Sequence, residues 1–186
     1  MFIVIDGLDG SGKSTQARLM CGILASGSRS LILRAHPSAD NFFGRAGRGY
    51  LLLEGRRARV AASVFYLADV VRSLLLYRWR RVDYIIFVRY LMGTAYLPRP
   101  LHRFAYLFFY RLVPTGDHMY FIDVRPEEAY RRLGRRARRE IFESLERLSE
   151  VRVKALGLTV NGGWTIVDGN RPRGVIHEQL SLLLGL

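Results

Sequence analysis

Gly7-Leu8-Asp9-Gly10-Ser11-Gly12-Lys13-Ser14-Thr15 is the stretch from which the rest of this chain is read. It fits G-x-x-x-x-G-K-[ST], the pattern of a phosphate-binding loop. Ahead of it, Phe2-Ile3-Val4-Ile5 is a short apolar run of the kind a buried parallel strand produces. Behind it, Ala17, Leu19, Met20, Ile23 and Leu24 are mixed with polar Gln16 and Arg18, which predicts a helix. Gly7, Gly10 and Gly12 allow the backbone to approach an anion closely. Their amides then point inward at the positive end of the helix. The pattern assigns Lys13 to the terminal phosphates and the Ser14 hydroxyl to Mg²⁺, with Ser11 and Thr15 completing the nucleotide-binding loop.

At 186 residues, residues 1–186 are expected to form one domain with a substantial core. Hydrophobic residues make up 49%, which excludes a globally disordered chain. Cys21 is the sole cysteine, so neither an intramolecular disulfide nor a cysteine metal cluster is possible, and it is expected to pack on the first helix. His36, His102, His118 and His177 are scattered without metal-ligand spacing. No leader is read ahead of the first strand, and the apolar stretches, broken by Arg, are expected to fall short of a membrane span. The net charge is +13, carried almost wholly by Arg, with Lys13 and Lys154 the two lysines. Such an excess draws in anions, either nucleic acid or nucleotide phosphates. No nucleic-acid-binding module is recognisable, which makes nucleic acid the weaker candidate.

Further along, apolar runs alternate with helical patterns. Strands are expected at Ser30-Leu31-Ile32-Leu33, Tyr84 to Val88, Met119 to Asp123 and Trp164 to Val167. Residues 35–49 read as a loop with a short helix, and 58–77 as a long helix with Val60, Val64, Leu67, Val71 and Leu74 on one face. That helix is apolar on several sides, as a buried or interfacial helix is. Pro126-Glu127-Glu128 opens another helix, Ile141 to Ala155 forms the next, and Val175 to Leu184 closes the chain. The alternation predicts an α/β fold whose five-stranded parallel sheet is covered by helices on both faces. Residues 97–113 hold Phe104, Tyr106, Leu107, Phe108, Phe109, Tyr110 and Leu112 among Arg99, Arg103 and Arg111. Core or dimer packing, an acceptor pocket and a membrane-surface contact all remain open for this segment.

Taken in order, these motifs resemble the thymidylate kinase family of P-loop nucleoside monophosphate kinases. The resemblance runs through residues 2–16, Val64-Phe65-Tyr66-Leu67-Ala68-Asp69, Arg89-Tyr90 with Ala95-Tyr96, Phe121 to Ala129, Arg138 to Glu143 and Trp164 to Pro172. It implies the P-loop NTPase fold with a lid at about residues 134–143, a cytoplasmic homodimer, and γ-phosphate transfer from ATP·Mg²⁺ to a monophosphate acceptor, dTMP by family default. In such reactions the protein mainly positions groups and neutralises charge. The resemblance assigns catalysis to Lys13, Arg89, Arg135, Arg138 and Arg139 and puts Arg136 among the lid arginines. It assigns nucleotide binding to the loop together with Arg135, Asn170 and Arg171. Acceptor binding falls to Asp9, Phe65, Arg89 and Tyr96, and the metal to Ser14.

The acceptor half departs from the family pattern. The family's D-R-Y reads Val88-Arg89-Tyr90, so the acid normally near the metal is missing, leaving Asp9 or Asp123 as the nearby candidates. Val70 stands where an arginine usually helps read the thymine ring, and Ala39 where a phosphate-binding arginine is expected, with Arg34 or Arg45 as substitutes. Losing polar contacts changes what a site accepts. A P-loop kinase for a less polar acceptor, or a nucleotide-binding protein with weak transfer, are therefore the alternatives.

Overall fold

A computed structural model describes residues 1–53, 55–134, 144–160 and 162–186, with only the backbone of Arg56 and Arg59. The strands are β1 (Phe2–Gly7), β2 (Leu31–Ala35), β3 (Tyr84–Val88), β4 (His118–Asp123) and β5 (Trp164–Asp168). They form one parallel sheet in the order β2-β3-β1-β4-β5. The glycine loop thus leaves the central strand, where strand order reverses and ligands of open α/β sheets bind. The lid arginines Arg135, Arg136, Arg138 and Arg139 lie outside the described residues.

Helices α1 (Lys13–Ser26) and α7 (Arg173–Leu184) cover one face of the sheet. Helices α3 (Arg56–Tyr77), α4 (Leu101–Leu112), α5 (Pro126–Leu133) and α6 (Leu145–Thr159) cover the other, while α2 (Phe42–Tyr50) packs on α3. Strand alternation produces this division. Phe2 and Val4 of β1 enter the core beneath α3 to α6, and Ile3 and Ile5 enter the one beneath α1 and α7. Cys21 packs against the latter. Segment 97–113 is mostly helix α4, entered from a 3₁₀ turn at Met92–Tyr96, with Tyr106 of α4 buried and its phenol accepting from Trp164 Nε1 at 2.8 Å.

Two expectations are corrected. On α3 the buried residues are Ala58, Ala62, Tyr66, Asp69, Val70, Ser73 and Leu74, while Val60 and Val64 face outward. Because the helix is apolar all round, periodicity does not choose a face. The face is chosen by what the fold packs against it, the sheet-side core on one side and α2 on another. Nor is every apolar stretch too short for a membrane. Val60–Tyr77 reaches a mean hydropathy of 1.6 over 18 residues, yet it belongs to a helix whose inner stripe lies in the core.

Candidate active site

Gly10 has φ +83°, and a Cβ there would lie 2.5 Å from the Ala129 carbonyl oxygen of α5. At Gly7 a Cβ would meet the Ile122 carbonyl oxygen at 2.6 Å. Both positions therefore need glycine on conformation and on space. α1 opens from Gly12 without a side-chain cap. Ser11 Oγ is buried in the loop without a hydrogen-bond partner. Uncapped amides at a helix start and an orphaned hydroxyl inside a glycine cradle fit the oxygens of a polyphosphate. Ser14, partly exposed in the first turn, offers one hydroxyl beside them, whereas Thr15 is exposed.

Asp9 joins this loop to the acceptor side. One carboxylate oxygen receives Lys13 Nζ at 3.2 Å and the Arg89 guanidinium, and the other receives Tyr96 Oη at 2.9 Å. Lys13 also donates to the Leu8 carbonyl at 2.7 Å. Burial would raise the Asp9 carboxyl, but the charges of Arg89 and Lys13, with hydrogen bonds from Arg89 and Tyr96, hold it well below the usual range. Burial and the Arg89 charge, against the pull of Asp9 and Asp6, bring Lys13 down to about 8. Four predicted site residues, Asp9, Lys13, Arg89 and Tyr96, are thus brought into one cluster.

Arg89 is held in an uncommon conformation, φ +61°. Its amide donates to Ile5 O at 3.2 Å, and its carbonyl lies 3.0 Å from His36 Nδ1. Burial pushes His36 down to about 4, so the neutral ring with a proton on Nδ1 fits this contact. Asp6, at the end of β1, accepts from the amides of Tyr90 at 2.8 Å and Met92 at 3.1 Å. Burial raises the Asp6 carboxyl, with those amides and Lys13 opposing. Sequence reading passed over Asp6 and His36. An acid closing an otherwise apolar strand was the available signal for Asp6; His36 had none.

A hollow beside this cluster is lined by Pro37, Leu51, Ala62, Tyr66, Gly93 and Tyr96, with Asp9, Arg89 and Ser63 as its polar members. Phe65, expected here, instead stacks on Tyr50 with centroids 5.5 Å apart and lines a surface hollow with Val60 and Val64. Tyr66 takes the inner position, because the buried stripe of α3 passes through it, and donates to Tyr90 O at 2.9 Å. Arg34 is engaged by Asp40 at 2.6 and 2.9 Å, and Arg45 is exposed on α2. Arg48, donating to Pro37 O at 2.8 Å, is the α2 arginine bonded to the hollow's wall. Val70 and Val88 are core residues. Asp123 binds Arg152 through both oxygens at 2.7 Å, so of the two acids considered near the metal only Asp9 belongs to the cluster.

Behind the loop, Gln16 donates to Arg173 O at 3.0 Å. Asn170 bridges Asp168 and the Arg125 amide, and Arg171 pairs with Asp168 at 3.1 Å. Asn170 and Arg171 therefore stand on the segment after β5, next to the start of α1. Among the described residues, no group of three or more His, Cys, Asp or Glu could hold a metal ion.

A family model for thymidylate kinase matches residues 5–180. The chain is 30% identical to a putative thymidylate kinase of Aeropyrum pernix over 192 residues, covering 98% of this chain and 91% of that one. It is 27% identical to a probable thymidylate kinase of Pyrobaculum calidifontis over 189 residues, covering 99% and 95%. Its fold matches a solved thymidylate kinase from Candida albicans at a TM-score of 0.73, with 21% identity over 99% of this chain and 90% of that one.

Proposed function

The chain belongs to the thymidylate kinase family, and from that premise we propose that it transfers the γ-phosphoryl group of ATP to dTMP with Mg²⁺. The observation that carries this reading is the Asp9 cluster. One carboxylate ties the cation of the donor loop, Lys13, to the cation of the acceptor side, Arg89. Two phosphorylated substrates repel each other, and cations between them offset that repulsion.

In this reading the loop amides and Ser11 Oγ cradle the triphosphate, and Lys13 leaves the Leu8 carbonyl to meet its terminal oxygens. Asn170 and Arg171 contact the adenosine side. Arg89 holds the acceptor phosphate, Asp9 and Tyr96 orient its sugar, and Tyr66, in place of Phe65, faces its base. Ser14 would hold a Mg²⁺ ion through its hydroxyl, and the ion would supply charge neutralisation between the two phosphates. Arg135, Arg138 and Arg139 close over the transferring group as part of the lid at about 134–143. The enzyme works in the cytoplasm as a homodimer that covers the outward apolar side chains of α2 and α3, among them Phe42, Val60 and Val64.

A second reading, a kinase for a less polar acceptor, is favoured by the mostly apolar lining of the hollow. An ADP-release assay across nucleoside monophosphates separates the two. Turnover with dTMP that disappears in Lys13→Ala supports the first; turnover with none of the panel overturns it.

A further inference from the structure

α4 presents Leu101, Phe104, Phe108 and Leu112 to solvent in one stripe, with exposures of 49–67%. Its opposite side is fixed by buried Tyr106, so the stripe cannot turn inward without breaking the Trp164 contact. Exposed Arg103 and Arg111 flank the stripe, and Arg99 precedes it. Residues 97–116 contain no Asp or Glu. The end of α3 adds a second element of the same chemistry: Trp79 is 82% exposed, between Arg78 and the pair Arg80-Arg81.

We propose that the α4 stripe, with its flanking arginines, seats this protein on the surface of a bilayer carrying anionic headgroups. Twelve residues make a helix of about 18 Å, too short to span a bilayer but suited to lying in its interface. Aromatic and leucine side chains enter the acyl boundary, and flanking arginines meet the headgroups. Charge complementarity selects this occupant over a second copy. An isologous α4–α4 contact sets arginines against arginines with no α4 carboxylate to answer them, whereas an anionic bilayer supplies the countercharge.

The test is co-sedimentation of the full chain with phosphatidylglycerol-containing vesicles and with pure phosphatidylcholine vesicles, at low and high salt. Wild type is expected to partition onto the anionic vesicles and to be released by salt. Phe104→Ser/Phe108→Ser should lower the partition coefficient about tenfold or more, since each ring loses the burial that drives insertion. Arg103→Glu/Arg111→Glu should abolish the preference for anionic lipid. All four positions are exposed, so kinase turnover and melting temperature should stay at wild-type values and report folding independently. The proposal is overturned if wild type stays in the supernatant. It is overturned equally if the double serine variant binds as wild type does, which would mean adsorption by net charge alone. A fall in oligomer mass for that variant, without vesicle binding by wild type, would assign the stripe to self-association.

Discussion

Replacing Asp9 by Asn removes one negative charge and little else, because the side chains are nearly isosteric. In the structure that charge faces Lys13 Nζ at 3.2 Å and the Arg89 guanidinium, with Asp9 and Lys13 almost wholly buried. At an effective dielectric constant of about 20, one such pair is worth about 5 kcal/mol of Coulomb energy before desolvation. Stranding a buried charge typically costs about 3–5 kcal/mol. A loss of about 3 kcal/mol is therefore expected, which lowers the melting temperature of a chain this long by about 6–12 °C. A triphosphate can take over as counter-ion for Lys13. A non-hydrolysable ATP analogue should therefore raise the melting temperature of Asp9→Asn by more than it raises that of wild type, while turnover with dTMP falls. Differential scanning fluorimetry at pH 7, with and without the analogue, measures both shifts. If Asp9→Asn melts with wild type, or gains no more from the analogue than wild type does, the cluster is not the electrostatic junction described here.

Three further outcomes are expected. Gly10→Ala should lose about 1–2 kcal/mol to its left-handed backbone and about a hundredfold in kcat as the loop shifts away from the Ala129 carbonyl; wild-type stability and kcat together would contradict the contact. Val88→Asp puts a carboxylate into the core beneath α1 and should destabilise by about 3 kcal/mol. A wild-type melting temperature for this variant would contradict the burial of Val88 beneath α1. Lys13, brought from 10.5 to about 8 by burial, binds fewer protons folded than unfolded between those values, so stability of the ligand-free protein should rise with pH across that window. Nucleotide affinity should fall over the same range, and isothermal titration beside thermal melts reads both; parallel trends would contradict the Lys13 assignment.

Much of this molecule is legible in short stretches of its sequence. The glycine loop, the apolar strand before it, the helix after it and the proline opening α5 each depend on neighbours within about ten residues, and each stands where the pattern predicts. The acceptor side is different. Phe65 and Tyr66 are adjacent aromatics on a helix apolar all round, so only packing against the sheet determines which one turns inward. Asp123 and Arg34 look available in the sequence, and distant or loop-borne partners, Arg152 and Asp40, engage them. Asp9 meets Arg89 across eighty residues of chain. No periodicity encodes such a meeting, because it exists only once parallel pairing brings the ends of β1 and β3 side by side. Local pattern thus determines where phosphate can be gripped, since backbone angles and helix starts are local properties. Tertiary structure decides which side chains surround it, since burial and charge pairing depend on what the fold brings close.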